Sequence, residues 1–269
     1  MTIRYEILQE MIDAVTPYTM VTRPKAYSLA RAVESVVSEG LPGDIAECGV
    51  WKGGMCMLIA NILKYMNETD RTIWLFDTFK GMTKPDERDV KTKSKAVALE
   101  KWEKCNKGDY VDWCYSPLEE VTKNMYSTGY PKSKIKFIQG DVSETVKGDI
   151  PNKISVLRMD TDFYRSTYDS LVYLYPRLVK NGYLLFDNYT SWDGERKAVE
   201  DYFQEPSKQI KARETGGSLM VTKIEDMNES QPKQEKIDKA QNQLDKAQKE
   251  LEQFSTKLKQ IQQKFGTAN

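Results

Sequence analysis

In the first 225 residues, short runs of apolar side chains, most of them closing on an acid, alternate with longer stretches in which apolar residues recur every three or four positions. The runs DIAECGV (44–50), TIWLFDT (72–78), KIKFIQGD (134–141), SVLRMDTD (155–162) and YLLFDN (183–188) are nearly continuous in apolar, β-branched or aromatic residues. That is the pattern of strands buried on both faces of a parallel sheet. The stretches MCMLIANILKYM (55–66), TYDSLVYLYPRLV (167–179) and ERKAVEDYF (195–203) read as the intervening helices. The alternation predicts an α/β fold with helices on both faces. The segment IKARETGGSLMVTKI reads as two strands joined at Gly216-Gly217, an antiparallel hairpin after five parallel strands. Two helices, over about 4–15 and 25–38, form a helical cap at 1–40 ahead of a main domain at 41–224. Within that domain, 81–130 is a long insertion containing Trp102, Trp113, Tyr110 and Tyr115. Insertions at the carboxyl ends of sheet strands commonly shape a substrate site.

The pattern changes near residue 225. Residues 225–236 form a polar linker. From 237 to 265, apolar residues from Ile237 to Phe265 recur in alternating steps of three and four, with Lys, Gln, Glu and Asp between them. A sustained 3.5-residue period predicts a coiled coil, and with it a homo-oligomer or a partner helix. A single helix folded back on the main domain is the alternative.

Composition narrows the chemistry. The 269 residues carry 40 Lys and Arg against 40 Asp and Glu, and no histidine. Zero net charge gives no general electrostatic case for nucleic acid. Without histidine there is no Ser-His-Asp triad, no Cys-His pair and no His-ligated metal. The four cysteines contain no C-x-x-C pair and read as reduced, which suits a cytoplasmic protein. The amino terminus lacks the apolar core of a signal peptide, and no stretch of about 18 apolar residues predicts a membrane span.

The remaining candidates are strand-end residues. The first βα junction, Glu47-Cys48-Gly49-Val50-Trp51-Lys52-Gly53-Gly54, suits close approach of a ligand to backbone at a helix start. Its spacing differs from G-x-G-x-x-G, which weakens a nicotinamide reading. Asp77 ends the second strand, where a carboxylate can accept both hydroxyls of a ribose. It can equally cap the next turn. Gly140-Asp141 ends the third, where Asp141 can take an adenine amine or cap the following helix. Asp160 and Asp187-Asn188 end the neighbouring fourth and fifth strands. Their convergence would give three oxygen ligands, a set suited to Mg²⁺ or Mn²⁺.

The order of five parallel strands and a hairpin matches the Rossmann-like methyltransferase sheet. Several stretches together, PYTMV (17–21), PGDIAECGVWKGG (42–54), FDTFKGM (76–82), FIQGDVSET (137–145), RMDTDFYRSTYDSLVYLYPRLVKNGYLLFDNY (158–189) and RKAVEDYF (196–203), resemble the macrocin O-methyltransferase family over about residues 5–224. The resemblance implies an enzyme that moves the methyl of S-adenosylmethionine to a hydroxyl of a sugar-containing small molecule. It implies a cofactor site from Glu47, Gly49, Gly53, Asp77, Gly140 and Asp141, with Thr19 and Met20 closing over the methionine end. Asp160, Asp187 and Asn188 would hold the metal, and Asp160 with Asp162 or Asp193 would serve catalysis. Family members commonly carry Asp-Asp where Asp187-Asn188 stands here. Phe163 occupies the position of the lysine of catechol-type relatives, which favours the sugar branch. The coiled coil is not part of the family pattern. A nicotinamide-dependent oxidoreductase and a non-catalytic assembly protein are the competing readings.

Overall fold

The computed structural model describes residues 2–204, 210–215 and 218–224. The chain divides into two compact units, Met1–Asp226 and Met227–Asn269, and the described residues all lie in the first. The predicted linker at 225–236, the coiled coil at 237–265 and the Gly216-Gly217 connection lie outside them.

Helices α1 (Tyr5–Val15) and α2 (Arg23–Ser38) come first. Strand β1 (Asp44–Cys48), helix α3 (Gly54–Tyr65) and strand β2 (Ile73–Asp77) follow. Helices α4 (Ala98–Cys105) and α5 (Leu118–Ser127) lead to strand β3 (Ile135–Gln139). Then come the short helix α6 (Val142–Thr145), strand β4 (Ile154–Met159), helix α7 (Tyr164–Leu174), strand β5 (Leu178–Phe186), helix α8 (Asp193–Phe203), and the strands β6 (Ile210–Thr215) and β7 (Ser218–Lys223). The sheet order is β3-β2-β1-β4-β5-β7-β6. The first five strands pair in parallel, and β7 runs antiparallel between β5 and β6. This is the five-plus-hairpin arrangement expected from the sequence.

Side chains alternate across the sheet, so each strand feeds two cores. Ile45, Ile73, Leu75, Val156 and Leu185 belong to the core built with α1, α2, α3 and α5. The opposite face carries Ala46, Phe76, Leu157 and Phe186, buried on the side covered by α6, α7 and α8.

Two boundaries differ from the sequence reading. Residues 178 and 179 belong to β5 and not to the preceding helix, which ends at Leu174 and passes through a 3₁₀ turn at Tyr175–Arg177. Pro176, which cannot donate a helical hydrogen bond, sits in that turn. The register then shifts, Ile154 pairing with Leu178 but Val156 with Tyr183, with Asn181 at φ +64° in the irregular stretch. The region 81–130 is also two things. Its second half is the crossover helix α5, whose Val121 and Met125 are fully buried against α3. Only the first half stands apart, on a small core of its own in which Ala98, Val111 and Trp113 pack with Phe163 and Trp192.

Candidate active site

At the carboxyl edge of the parallel strands a cavity of about 370 Å³ opens. One side is formed by the turn after β1. Gly49 has φ +81°, and a Cβ there would lie 2.2 Å from the Asp160 carbonyl oxygen. Only glycine lets β1 and β4 approach so closely. Gly53 has φ +85° and caps α3, but does not line the cavity. The residues Tyr18 and Thr19 lie across the start of α3, where a Cβ on Gly54 would meet the Tyr18 carbonyl at 2.5 Å. That close packing sets Thr19 and Met20 at the mouth of the cavity, with Met20 exposed.

Asp77 lines the cavity, and its carboxylate holds the β1 turn in shape. Oδ2 accepts from the Val50 and Trp51 N–H groups at 2.7 and 3.2 Å, and Oδ1 from Phe79 N–H at 2.7 Å. Burial pushes its pKa up, against these backbone donors. Gly140 lines the cavity. Asp141 does not; it caps α6 by accepting from Ser143 N–H at 2.9 Å, the capping alternative noted from sequence.

Period-two alternation carries the floor. Glu47 on β1 and Arg158 on β4 are register partners and share the α2–α3 face, and the same phase continues past the strand ends to Asp160 and Asp187. Arg158, whose side chain is 3% exposed, donates to Glu47 Oε1, to Asp160 Oδ2 at 3.0 Å and to Asp187 Oδ1 at 2.7 Å. Lys25 of α2 donates to Asp187 Oδ2 at 3.0 Å and to its carbonyl at 2.6 Å. Asn188 Nδ2 donates to Asp160 Oδ1 at 2.7 Å. Glu47 lines the cavity, with Oε1 engaged by Arg158 and Oε2 by the Cys56 thiol at 2.8 Å. Burial raises its pKa to about 7. Burial and then Asp187 raise Asp160 to about 6, whereas Arg158 and Lys25 prevail over burial to hold Asp187 below its ordinary value.

Asp160, Asp187 and Asn188 therefore come together. Among the described residues no three or more His, Cys, Asp or Glu side chains gather as a metal site; the trio reaches three donors by counting the Asn188 amide. A half-turn of that amide would present its oxygen beside Asp160 Oδ1. The set is then oxygen-only, which fits a hard divalent cation in kind. Lys25 already neutralises the outer oxygen of Asp187 and would compete with such an ion.

Asp162 and Asp193, the two alternatives for proton acceptor, are separated by the structure. Asp162 lines the cavity with φ +61°, and its pKa is pushed well above the ordinary range, first by burial and then by Asp160. Asp193 lies outside the cavity lining, accepting from Thr92 Oγ1 at 2.9 Å and Lys95 Nζ at 2.8 Å. Trp113 and Trp192 line the cavity but also form the small core with Phe163, with ring centres 5.5 to 6.0 Å apart. Of the insertion aromatics expected at the site, Trp113 lines the cavity, whereas Trp102, Tyr110 and Tyr115 do not. Sequence reasoning missed Arg158, Lys25 and Glu195. An arginine inside the apolar run SVLRMD was the available signal for the first. Glu195 is fully buried under the β5 turn, where Oε1 accepts from Asn188 N–H at 2.9 Å and Oε2 has no hydrogen-bond partner. Burial, then Asp162, Asp160 and Asp187, push its pKa well up.

The chain matches the Macrocin-O-methyltransferase (TylF) family model over residues 12–213. It is 34% identical over 185 residues to 8-demethyl-8-(2,3-dimethoxy-alpha-L-rhamnosyl)-tetracenomycin-C 4'-O-methyltransferase of Streptomyces olivaceus, covering 69% of this chain and 67% of that one. It is 31% identical over 202 residues to demethyldecarbamoylnovobiocin O-methyltransferase of Streptomyces niveus, covering 75% and 74%. The fold is shared with the O-methyltransferase NovP at a TM-score of 0.65 and 23% identity, over 82% of this chain and 99% of that one. With a family match across most of the described unit and relatives above 30% identity, the chain belongs to the macrocin O-methyltransferase family and is an O-methyltransferase.

Proposed function

We propose that the protein transfers the methyl group of S-adenosylmethionine to a hydroxyl of a sugar or glycosylated small molecule. The observation that carries this reading is that one cavity joins the Gly49 turn, Asp77 and Gly140 to the acids Asp160, Asp162 and Asp187. The rhamnosyl acceptor in the name of the Streptomyces olivaceus relative supports the sugar. Family membership sets the oxidoreductase alternative aside.

The bound cofactor supplies an electrophilic methyl on a sulfonium. Gly49 leaves room at the β1 turn, Asp77 fixes that turn and faces the ribose, Gly140 borders the base, and Thr19 and Met20 cover the methionine end. Asp141 and Gly53 act on the site through the helices they cap. Glu47 holds Arg158, and Arg158 holds Asp160 and Asp187 in place at the cavity floor. Asp162 takes the proton from the attacking hydroxyl onto its carboxylate. Asp160, Asp187 and Asn188 are the residues that would hold Mg²⁺ or Mn²⁺, which would acidify a chelated vicinal diol.

Calorimetric titration of S-adenosylhomocysteine and of Mn²⁺ into wild type and Asp187→Ala tests the reading. Product binding is expected in both, and Mn²⁺ binding in wild type alone. Absence of product binding to the wild type would overturn the methyltransferase site, and Mn²⁺ bound equally by both would overturn the ligand set.

A further inference from the structure

Two acids outside the cavity lining, Asp89 and Asp193, fasten one segment of the insertion between them. Residues 90–97 form a small hairpin, with Val90 bridged to Val97 and the Lys91 N–H donating to the Ala96 carbonyl at 2.9 Å. Its other edge lies along the turn after β5. There Lys91 bridges Trp192, the Thr92 N–H donates to the Ser191 carbonyl at 3.0 Å, and the Asp193 N–H donates to the Val90 carbonyl at 2.9 Å. At the tip, the Asp193 carboxylate accepts from Thr92 Oγ1 on one oxygen and from Lys95 Nζ on the other. Arg196 donates in turn to Thr92 Oγ1 at 3.2 Å. At the base, Asp89 is 1% exposed. Its Oδ1 accepts from the Tyr164 N–H at 2.7 Å and its Oδ2 from the Asp86 N–H at 2.8 Å. An acid suits the start of α7, where backbone N–H groups lack helical partners. A Cβ on Gly194 would lie 2.0 Å from Asp89 Oδ1, so α8 begins bare where Asp89 passes. The hairpin is thus tied at one end to the turn after β4, two residues from Asp162. At the other end it is tied to the turn after β5, whose Asn188 carbonyl takes the Ser191 and Trp192 N–H groups. Lys91 and Trp192 stand in the cavity between these two ties, and the Trp192 ring meets that of Trp113 with centres 6.0 Å apart. None of the residues assigned to the cofactor belongs to this wall.

We propose that Asp193 and Asp89 are positioning residues for the methyl acceptor: through the hairpin 90–97 they hold the Trp113–Trp192 wall against the two turns that carry the site's acids. Asp193 acts on how the acceptor is enclosed and leaves the transfer step to Asp162. This role rests on the methyltransferase reading of the same cavity and gives its acceptor side a support. It also gives a use to Asp193, an acid that the sequence singles out and the structure removes from the reacting atoms.

Iodoacetamide alkylation of the full chain, read at each cysteine by peptide mass spectrometry, tests the role. Cys114 lines the cavity and packs on the small core of Trp113 and Trp192, whereas Cys48 and Cys56 are fully buried elsewhere and report global opening. The variants are Asp193→Ala, Thr92→Val, Asp89→Asn and the conservative Asp193→Glu, with Asp149→Ala, which breaks an exposed pair with Lys136, as a control. Cys114 should react at least about fivefold faster in Asp193→Ala than in the wild type, and faster too in Thr92→Val and Asp89→Asn. Asp193→Glu and Asp149→Ala should stay within about twofold of the wild type, and calorimetric affinity for S-adenosylhomocysteine should be unchanged in Asp193→Ala to the same margin. An unchanged Cys114 rate in Asp193→Ala overturns the proposal. A rise shared by Cys48 and Cys56 overturns it as well, because the acid would then support the whole fold. A parallel fall in S-adenosylhomocysteine affinity overturns the assignment to the acceptor side. Failure of S-adenosylhomocysteine to bind the wild type defeats the underlying methyltransferase reading instead, and the cysteine rates distinguish that result from failure of the hairpin's ties.

Discussion

Replacing Arg158 by methionine removes one buried cation from three carboxylates. The guanidinium side chain is 3% exposed and touches Glu47, Asp160 and Asp187, whose side chains are 2%, 26% and 9% exposed. Breaking a buried ion pair from one side costs about 3–5 kcal/mol, because the partner's charge stays desolvated. Here Lys25 still neutralises Asp187, which limits the loss to roughly that range despite three partners. At about 1.4 kcal/mol per tenfold, the folding constant should fall by roughly 10²- to 4 × 10³-fold. The pH dependence gives a second check. Arg158 is the chief group that holds Asp187 below its ordinary pKa, and it opposes the rise of Glu47 and Asp160. A depressed acid contributes stability above its unfolded pKa and loses it as pH falls through the folded value. A raised acid is most favourable protonated and loses stability as pH climbs from its unfolded to its folded pKa. Without Arg158 all three acids move upward, so the deficit of Arg158→Met must be largest at pH 8 and shrink toward pH 5.5. Urea unfolding at the two pH values measures it. A loss below about 1 kcal/mol at pH 8, or a deficit that grows on acidification, would refute the reasoning.

Gly49→Ala places a methyl on the Asp160 carbonyl at a positive φ, so it should cost more than about 2 kcal/mol in urea unfolding and weaken S-adenosylhomocysteine binding. Glu195→Gln should stay within about 1 kcal/mol of wild type at pH 7, since burial favours an uncharged side chain there and glutamine keeps the bond to the Asn188 N–H. Glu195→Ala, which strands that N–H, should lose about 2 kcal/mol or more by the same assay. Asp162→Asn should lower kcat by about 10²-fold or more with S-adenosylhomocysteine affinity unchanged, whereas Asp193→Ala should leave kcat within about twofold; the reverse order would return the base role to Asp193. Lys25→Met should strengthen Mn²⁺ binding if the ammonium competes for Asp187, and titration calorimetry on that variant reads this directly.

Much of this architecture was legible before any coordinates. Five acid-terminated apolar runs and a glycine-joined pair of strands were enough for the sheet, because buried parallel strands leave few other uses for such runs. Asp160, Asp187 and Asn188 were legible as strand-end residues on neighbouring strands. Lys25 was not, because its helix is distant in sequence and a surface lysine looks the same as one that folds onto a carboxylate. Arg158 was not, because its partners Glu47 and Asp187 belong to neighbouring strands and no local pattern pairs them with it. The split between Asp162 and Asp193 was beyond the sequence because it depends on which side of a turn each side chain leaves. Trp113 of the insertion was visible, but its packing on Phe163 depends on a tertiary contact that no local pattern encodes.

The pair Lys25–Asp187 joins positions 162 residues apart. Its making has a consequence for how the chain comes off the ribosome. Until β5 has been synthesised, Lys25, Glu47 and Arg158 exist without the acid that completes their charge balance, and the central sheet lacks the strand on which the hairpin docks. Folding of the cap and of the first strands cannot by itself produce a finished site, and long loops must close before the last contacts form. Catalytic competence is therefore a late event in the life of the nascent chain, and any fragment that ends before residue 187 is a partly folded intermediate with buried charge exposed to misassembly.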